Sequence, residues 1–357
     1  MLAEPPLDTP AGRAPFRPPV PTPLARPLDT FDFFRSARAN PLTTWARAHF
    51  EQPFVVAEGL LGHVAVVSDP AAIRHILVDN AANYRKDDLQ RRVLAPGLGD
   101  GLLTAEGDVW RAQRRALAPL FSARTVRSFA EAMTAAADRT VRRLKRRGEG
   151  REIDVALEMS RVALDVLERT IFTRGLARDP DALAHAITRY FAAIAPVDPL
   201  DVFGLPNWLP RLGRIRARPA LRFFEEVVTE LVDGRKAMLA SGEAAPRDLL
   251  TLLLEARDPE TGSGLSDLEV RANVVTFIGA GHETTANALS WSLYLLSQAT
   301  DIRAEVEREV DAAGEGPPDG GRLPLTRAVV EEAMRLYPPV PFLSRSPLRD
   351  DRVAGYR

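Results

Sequence analysis

Apolar positions recur every three to four residues along most of this chain, the period of helices with one buried face. The longest such stretch is Leu265 to Gln298, LSDLEVRANVVTFIGAGHETTANALSWSLYLLSQ. Ser266 followed by Glu269 is a capping-box start, and no proline interrupts the next thirty residues. A helix of that length is on the order of 50 Å long. Its middle, Val274 to Gly281, is apolar on every side, which predicts a central buried helix. The run Ala280-Gly281-His282-Glu283-Thr284-Thr285 then breaks the pattern with small, acidic and hydroxyl residues. Glycine inside a helix costs about 1 kcal/mol relative to alanine, and a buried unpaired carboxylate costs more. The composition predicts that something lies close against the helix here.

The same reading predicts helices at Pro41 to Phe50, from Asp69-Pro70 to Val78, and over Glu106 to Leu120. Val126 to Arg147 reads as one helix with Val126, Phe129, Met133 and Val141 on one side. Its basic end, Arg142 to Arg147, then Gly148, reads as ordinary C-terminal capping or as a docking patch for an acidic partner. Further helices are predicted at Asp154 to Phe172, Pro180 to Ala195, Leu221 to Leu239, Arg247 to Ala256 and Ile302 to Ala312. Leu325 to Tyr337 is the last, stopped by Pro338-Pro339. Phe54 to Val56 and Val64 to Val67 read as a β-hairpin, and the last twenty residues as short strands. Gly97, Gly99 and Gly101 read as loop glycines, since no strand leads into them. Residues 1–28 carry nine of the 29 prolines and read as a weakly ordered lead-in. The fold class is mainly α with a minor β region, as a single domain over 29–357.

Composition narrows the chemistry. The chain of 357 residues has a formal net charge of −1, which gives no global attraction to nucleic acid or an anionic membrane. No apolar run is long enough to span a bilayer. The N-terminus has no apolar secretory core, which predicts a cytoplasmic location. Cysteine is absent, so disulfides, thiolate catalysis and cysteine-ligated metal are excluded within these residues. His282-Glu283 does not complete a zinc-protease motif, because Ala286 stands where the second histidine belongs. No metal site is predicted from side-chain spacing.

Two further spacings carry chemistry only in company. Glu332 and Arg335, three apart on a helix, can form a charge-assisted pair, with Met334 and Leu336 beside them suggesting a place near the core. Taken alone, the spacing equally describes a surface ion pair. Trp110 and Arg114 share a face and can offer an N–H and a guanidinium to a carboxylate, or else are a core tryptophan and a solvated arginine. Together, Trp110-x-x-x-Arg114, AGHETT on a long helix, Glu332-x-x-Arg335 and Arg335-Leu336-Tyr337-Pro338-Pro339 resemble a cytochrome P-450 of the soluble bacterial type, a haem-thiolate monooxygenase. The resemblance runs from about residue 30 to the last residue.

That resemblance implies a haem b cofactor lying against the central helix. Ala280 and Gly281 would allow its close approach, and Glu283 and Thr284 would form a proton relay to dioxygen. Such helices are often locally distorted at this point. Trp110 and Arg114, with Arg345, would hold the haem propionates. Glu332 and Arg335 would be a structural ion pair behind the haem. The apolar segments Leu89 to Leu103 and Pro196 to Leu209 fall where the family builds its substrate roof, implying an apolar small-molecule substrate. Electrons would come from a separate ferredoxin- or flavodoxin-type donor. The family holds its iron by a cysteine thiolate downstream of the Glu-x-x-Arg motif, and this chain has none. The sequence therefore reads as a member lacking its C-terminal cysteine-loop segment, expected to bind haem poorly and to be inactive as it stands. The alternative is a non-catalytic apolar-ligand-binding or interaction protein on the same scaffold.

Overall fold

The capping box forms. In the computed structural model, which describes residues 16–59, 62–173, 189–190, 199–202, 205, 209–314 and 321–356, the Ser266 N–H donates to Glu269 Oε2 at 2.8 Å and the Glu269 N–H to Ser266 Oγ at 3.3 Å. The long helix then runs without interruption from Asp267 to Gln298. Other helix starts follow equally local chemistry. Asp69 accepts from the Ala72 N–H at 2.7 Å with Pro70 at the first position, and Asp154 accepts from the Leu157 N–H at 3.0 Å.

The helices, in order, are α1 Thr30–Ala39, α2 Ala48–Glu51, α3 Pro70–Arg74, α4 Asp88–Leu98, α5 Gly107–Leu117, α6 Ala123–Ser128, α7 Ala130–Arg147 and α8 Val155–Ile171. They continue as α9 Pro199–Val202, α10 Leu212–Ala240, α11 Leu249–Glu255, α12 Asp267–Gln298, α13 Thr300–Ala313 and α14 Pro324–Leu336. Strands β1 Phe54–Gly59 and β2 Gly62–Val67 pair antiparallel, as do β3 Tyr84–Lys86 and β4 Arg345–Pro347. The chain is thus mainly helical, with two small sheets.

Several predicted elements shift. The stretch Pro41 to Phe50 divides into a 3₁₀ turn, Pro41–Thr44, and the short α2. The helix predicted over Val126 to Arg147 breaks at Phe129. Of the predicted stripe only Phe129 packs against the core; Val126, Met133 and Val141 are exposed, while Ala136 and Thr140 are buried. Small residues let α7 approach α8 closely, so the rest of the bulky stripe turns outward. Helices α1 and α4 were not foreseen, and the Pro180 to Ala195 helix lies outside the described residues except 189–190. In the proline-rich lead-in, Leu24 is tied by backbone bonds to Trp45 and Arg47.

The chain divides into two compact units. The larger comprises 52–287 and 339–357. Its core draws on α5, α8, α10, α11 and the first half of α12, with Leu117, Phe224, Val228, Leu250, Val274 and Ile278 among its buried residues. The smaller comprises 1–51 and 288–338. Within it Trp291 stacks on Tyr337 at 4.0 Å, and Glu309 caps the start of α14 by accepting from the Leu325 and Thr326 N–H groups.

Candidate functional site

Residues on α12 advance by about 100° each, so Asn273, Thr276, Ala280, Thr284 and Asn287 fall on one stripe with Glu283 at its edge. Burial along this stripe is uneven. Asn273 and Thr276 are buried, whereas Ala280, Glu283 and Asn287 are exposed and Thr284 is half-buried. The expectation of a helix buried all round therefore holds only up to Ile278. The Thr284 hydroxyl donates to the Ala280 carbonyl, which leaves its lone pairs toward the open side. The helix remains regular through this segment, so the local distortion expected from the resemblance is not seen.

The other side of the same segment faces α8. His282 is buried, with Nε2 2.8 Å from Ser160 Oγ, and its burial lowers the imidazole pKa against a smaller opposing pull from Glu283. Gly281 points the same way: a Cβ there would lie 2.8 Å from Leu167 Cδ2. Packing against α8 is thus a sufficient reason for glycine at this position. Its missing side chain makes room for Leu167, and Ala280 alone of the small pair lies on the open stripe.

Strand pairing assembles a second group. Lys86 and Arg345 are register partners in the β3–β4 ladder. The Lys86 ammonium lies 5.7 Å from the centre of the Trp110 ring and donates to the Leu102 and Ala105 carbonyls at 3.0 and 2.6 Å. Burial lowers the Lys86 pKa most; Glu106 opposes this, while Arg345 and Arg91 push in the same direction. Arg114 lies one turn beyond Trp110, exposed, with no hydrogen-bond or ion-pair partner among the described residues. Trp110 and Arg345 are thus brought together, through a lysine that sequence reasoning missed. Nothing in the local sequence marks Lys86, because its place depends on pairing with a strand near the other end of the chain. An indole with Lys86 over its ring, and with Arg345 and Arg91 acting on that lysine, suits a ligand that carries carboxylates.

Between these groups runs a strap, residues 99–105. Gly99 ends α4 with φ +64°, and a Cβ on Gly101 would meet Thr276 Oγ1 at 2.6 Å and the Ala272 carbonyl at 2.8 Å. The loop glycines of the sequence reading are therefore, in part, close-approach residues against α12. Two amides that the sequence did not flag fasten the strap. Asn273 Oδ1 accepts from the Leu102 N–H at 2.9 Å, and Asn273 Nδ2 donates to Gln113 Oε1 at 3.0 Å. Gln113 Nε2 in turn donates to the Asp100 carbonyl at 2.9 Å and to Glu269 at 3.2 Å.

Glu332 and Arg335 form a two-pronged pair, both contacts 2.7 Å. Their side chains are 56% and 66% exposed, so the predicted place near the core is corrected. On α14 the buried residue is Ala333, and Met334 is itself exposed. Neighbours in sequence point about 100° apart on a helix, so apolar flanks do not imply an apolar face.

The family model for cytochrome P-450 matches residues 31–357. Protein LUTEIN DEFICIENT 5 of Arabidopsis thaliana is 29% identical over 310 residues, covering 82% of this chain and 51% of that protein. Cyclooctatin synthase of Streptomyces melanosporofaciens is 31% identical over 292 residues, covering 81% of this chain and 62% of the relative. The ultra-long-chain fatty acid omega-hydroxylase of Homo sapiens is 29% identical over 319 residues, covering 82% and 59%. The chain spans about half the length of the first of these relatives. No helix among the described residues is long and apolar enough to cross a membrane.

Proposed function

The chain belongs to the cytochrome P-450 family, and from that premise we propose that it serves a haem-dependent monooxygenase acting on an apolar organic substrate. What carries the reading is the convergence of Lys86, Trp110 and Arg345, with Arg91 also acting on Lys86 and Glu106 the acid that opposes them among the described residues. Haem b presents a planar apolar body and two carboxylates, and the residues fit both parts. Ala280 and the open stripe of α12 would take the plane, and Trp110, Arg114, Lys86 and Arg345 would hold the propionates.

When bound, haem supplies the redox chemistry of dioxygen. The overall balance is substrate C–H, dioxygen, two electrons and two protons giving substrate C–OH and water. The chain's own contribution is to bind, orient and move protons. Glu283, exposed at the edge of the stripe, takes a proton from solvent on its carboxylate. Thr284 Oγ1, on the adjacent residue, presents its lone pairs to the open side while the Ala280 carbonyl holds its proton, and it passes a proton on by rotating away from that carbonyl. Glu332 and Arg335 take no part in proton transfer and act as a structural pair. The electron donor is a separate small redox protein of the ferredoxin or flavodoxin type.

The test is a titration with iron-free protoporphyrin IX, followed by quenching of tryptophan fluorescence. Saturable binding that weakens on Arg345→Ala and Lys86→Ala is expected; binding indifferent to both substitutions sinks the reading.

A further inference from the structure

The stripe on α12 has two halves. Toward the N-terminus, the 99–105 strap covers it at Ala272, Asn273 and Thr276. From Ala280 onward it is open. The strap therefore ends where the ligand face begins, and its position sets how much of the face is free. Its fastening to the helix side is polar and buried. Gln113 and Asn273 are each 0% exposed, and their amides bond to each other, to the Leu102 N–H, to the Asp100 carbonyl and to Glu269. Two buried amides with their donors and acceptors paired hold a single geometry, since breaking one leaves the other unsatisfied. At its other edge the strap is held by Lys86, through the Leu102 and Ala105 carbonyls.

We propose that Gln113 and Asn273 form a latch that fixes the 99–105 strap as the end wall of the open stripe, and so limits the length of apolar ligand the site accepts. They are positioning residues that act through the strap backbone. The wall rests on the reading of the stripe as a ligand face; the latch does not.

Amide hydrogen exchange on the whole 357-residue chain tests the latch. In Asn273→Leu, exchange at residues 99–105 accelerates by about tenfold, the order expected for losing one such hydrogen bond, while Phe224 to Val232 in α10 keep their protection. Acceleration of both together, or of neither, overturns the latch. Gly101→Ala, which lifts the strap by contact with Thr276 and leaves both amides in place, gives the same local acceleration if Asn273→Leu fails to fold. The exchanged pair Gln113→Asn with Asn273→Gln keeps both amides and the combined side-chain length, and restores protection.

Displacement of the bound dye N-phenyl-1-naphthylamine by n-alcohols of increasing chain length tests the wall. In the native chain affinity stops rising beyond a limiting length, and in Asn273→Leu that limit moves to longer alcohols. An unmoved limit with a released strap overturns the wall. A native chain that binds no dye removes the ligand-face reading and the wall with it, and the exchange result still decides the latch.

Discussion

Two carboxylates of this chain, Glu158 and Glu332, each accept a two-pronged arginine, and the physical weight falls on the one that no motif marks. Glu158, at the start of α8, is 1% exposed and gathers Arg143, Arg147 and Arg161 within 3.3 Å. Glu332 belongs to a recognisable spacing, yet is 56% exposed and among the described residues pairs only with Arg335. Water competes for an exposed pair, whereas a buried carboxylate depends wholly on its partners. The comparison also accounts for part of the basic end of α7. Arg143 and Arg147 are engaged with Glu158, and the Gly148 N–H closes the helix on the Lys145 carbonyl.

The largest effect is expected from removing the unmarked carboxylate. Glu158→Ala leaves three arginines facing one another without a counter-charge and should cost about 3 kcal/mol in urea denaturation. A loss no larger than that of an ordinary surface substitution would break the contrast. Gly281→Val comes next. Its side chain must displace Leu167, which should cost about 2 kcal/mol, and Leu167→Ala in the same chain should recover part of it. A harmless valine would return Gly281 to the open stripe.

Acid sharpens the comparison further. Its three arginines hold the Glu158 carboxyl below its usual range in spite of burial. Arg115 does the same for Asp258, and Tyr84 with His75 for Asp351. A carboxyl whose folded pKa lies below its unfolded value stabilises the fold above the unfolded value, near 4, and loses that contribution as pH falls. Asp165 and Glu168, raised by burial, have the opposite sign: their contribution is greatest in acid and declines as pH rises through the raised value. Thermal midpoints should therefore fall below about pH 4, and less steeply in Glu158→Gln. The smallest effect belongs to the motif: Glu332→Gln should leave the denaturation midpoint unmoved. A clear shift there would show that exposure misjudges this pair.

What was legible in the sequence is what local chemistry decides. Ser266 with Glu269, Asp69 with Pro70, and Asp154 each announce a helix by satisfying its free N–H groups within one turn. Helix α4 was hidden because Pro96 and Gly97, inside it, ordinarily stop one. The face of α7 was misread because hydrophobicity marks bulk, while close helix contact there is made by Ala136 and Thr140. At the site, Trp110 and Arg345 are candidates through resemblance. Lys86, Gln113 and Asn273 were not foreseen, since each acquires its partner from a distant element. Gly281 stands out in the sequence as a helical glycine in need of explanation, and Leu167 of α8 supplies one that no local pattern shows.

The strap reaches its latch through the Asp100 carbonyl and the Leu102 N–H. Main-chain atoms are the same whatever side chain they carry, while the Asp100 and Leu103 side chains stand exposed. The segment is therefore an exchangeable cassette: its fastening is indifferent to sequence at the positions that face outward, provided Gly99 and Gly101 are kept. Libraries varied at 100 and 103 alone should alter what the wall presents to a ligand without retuning the scaffold that holds it.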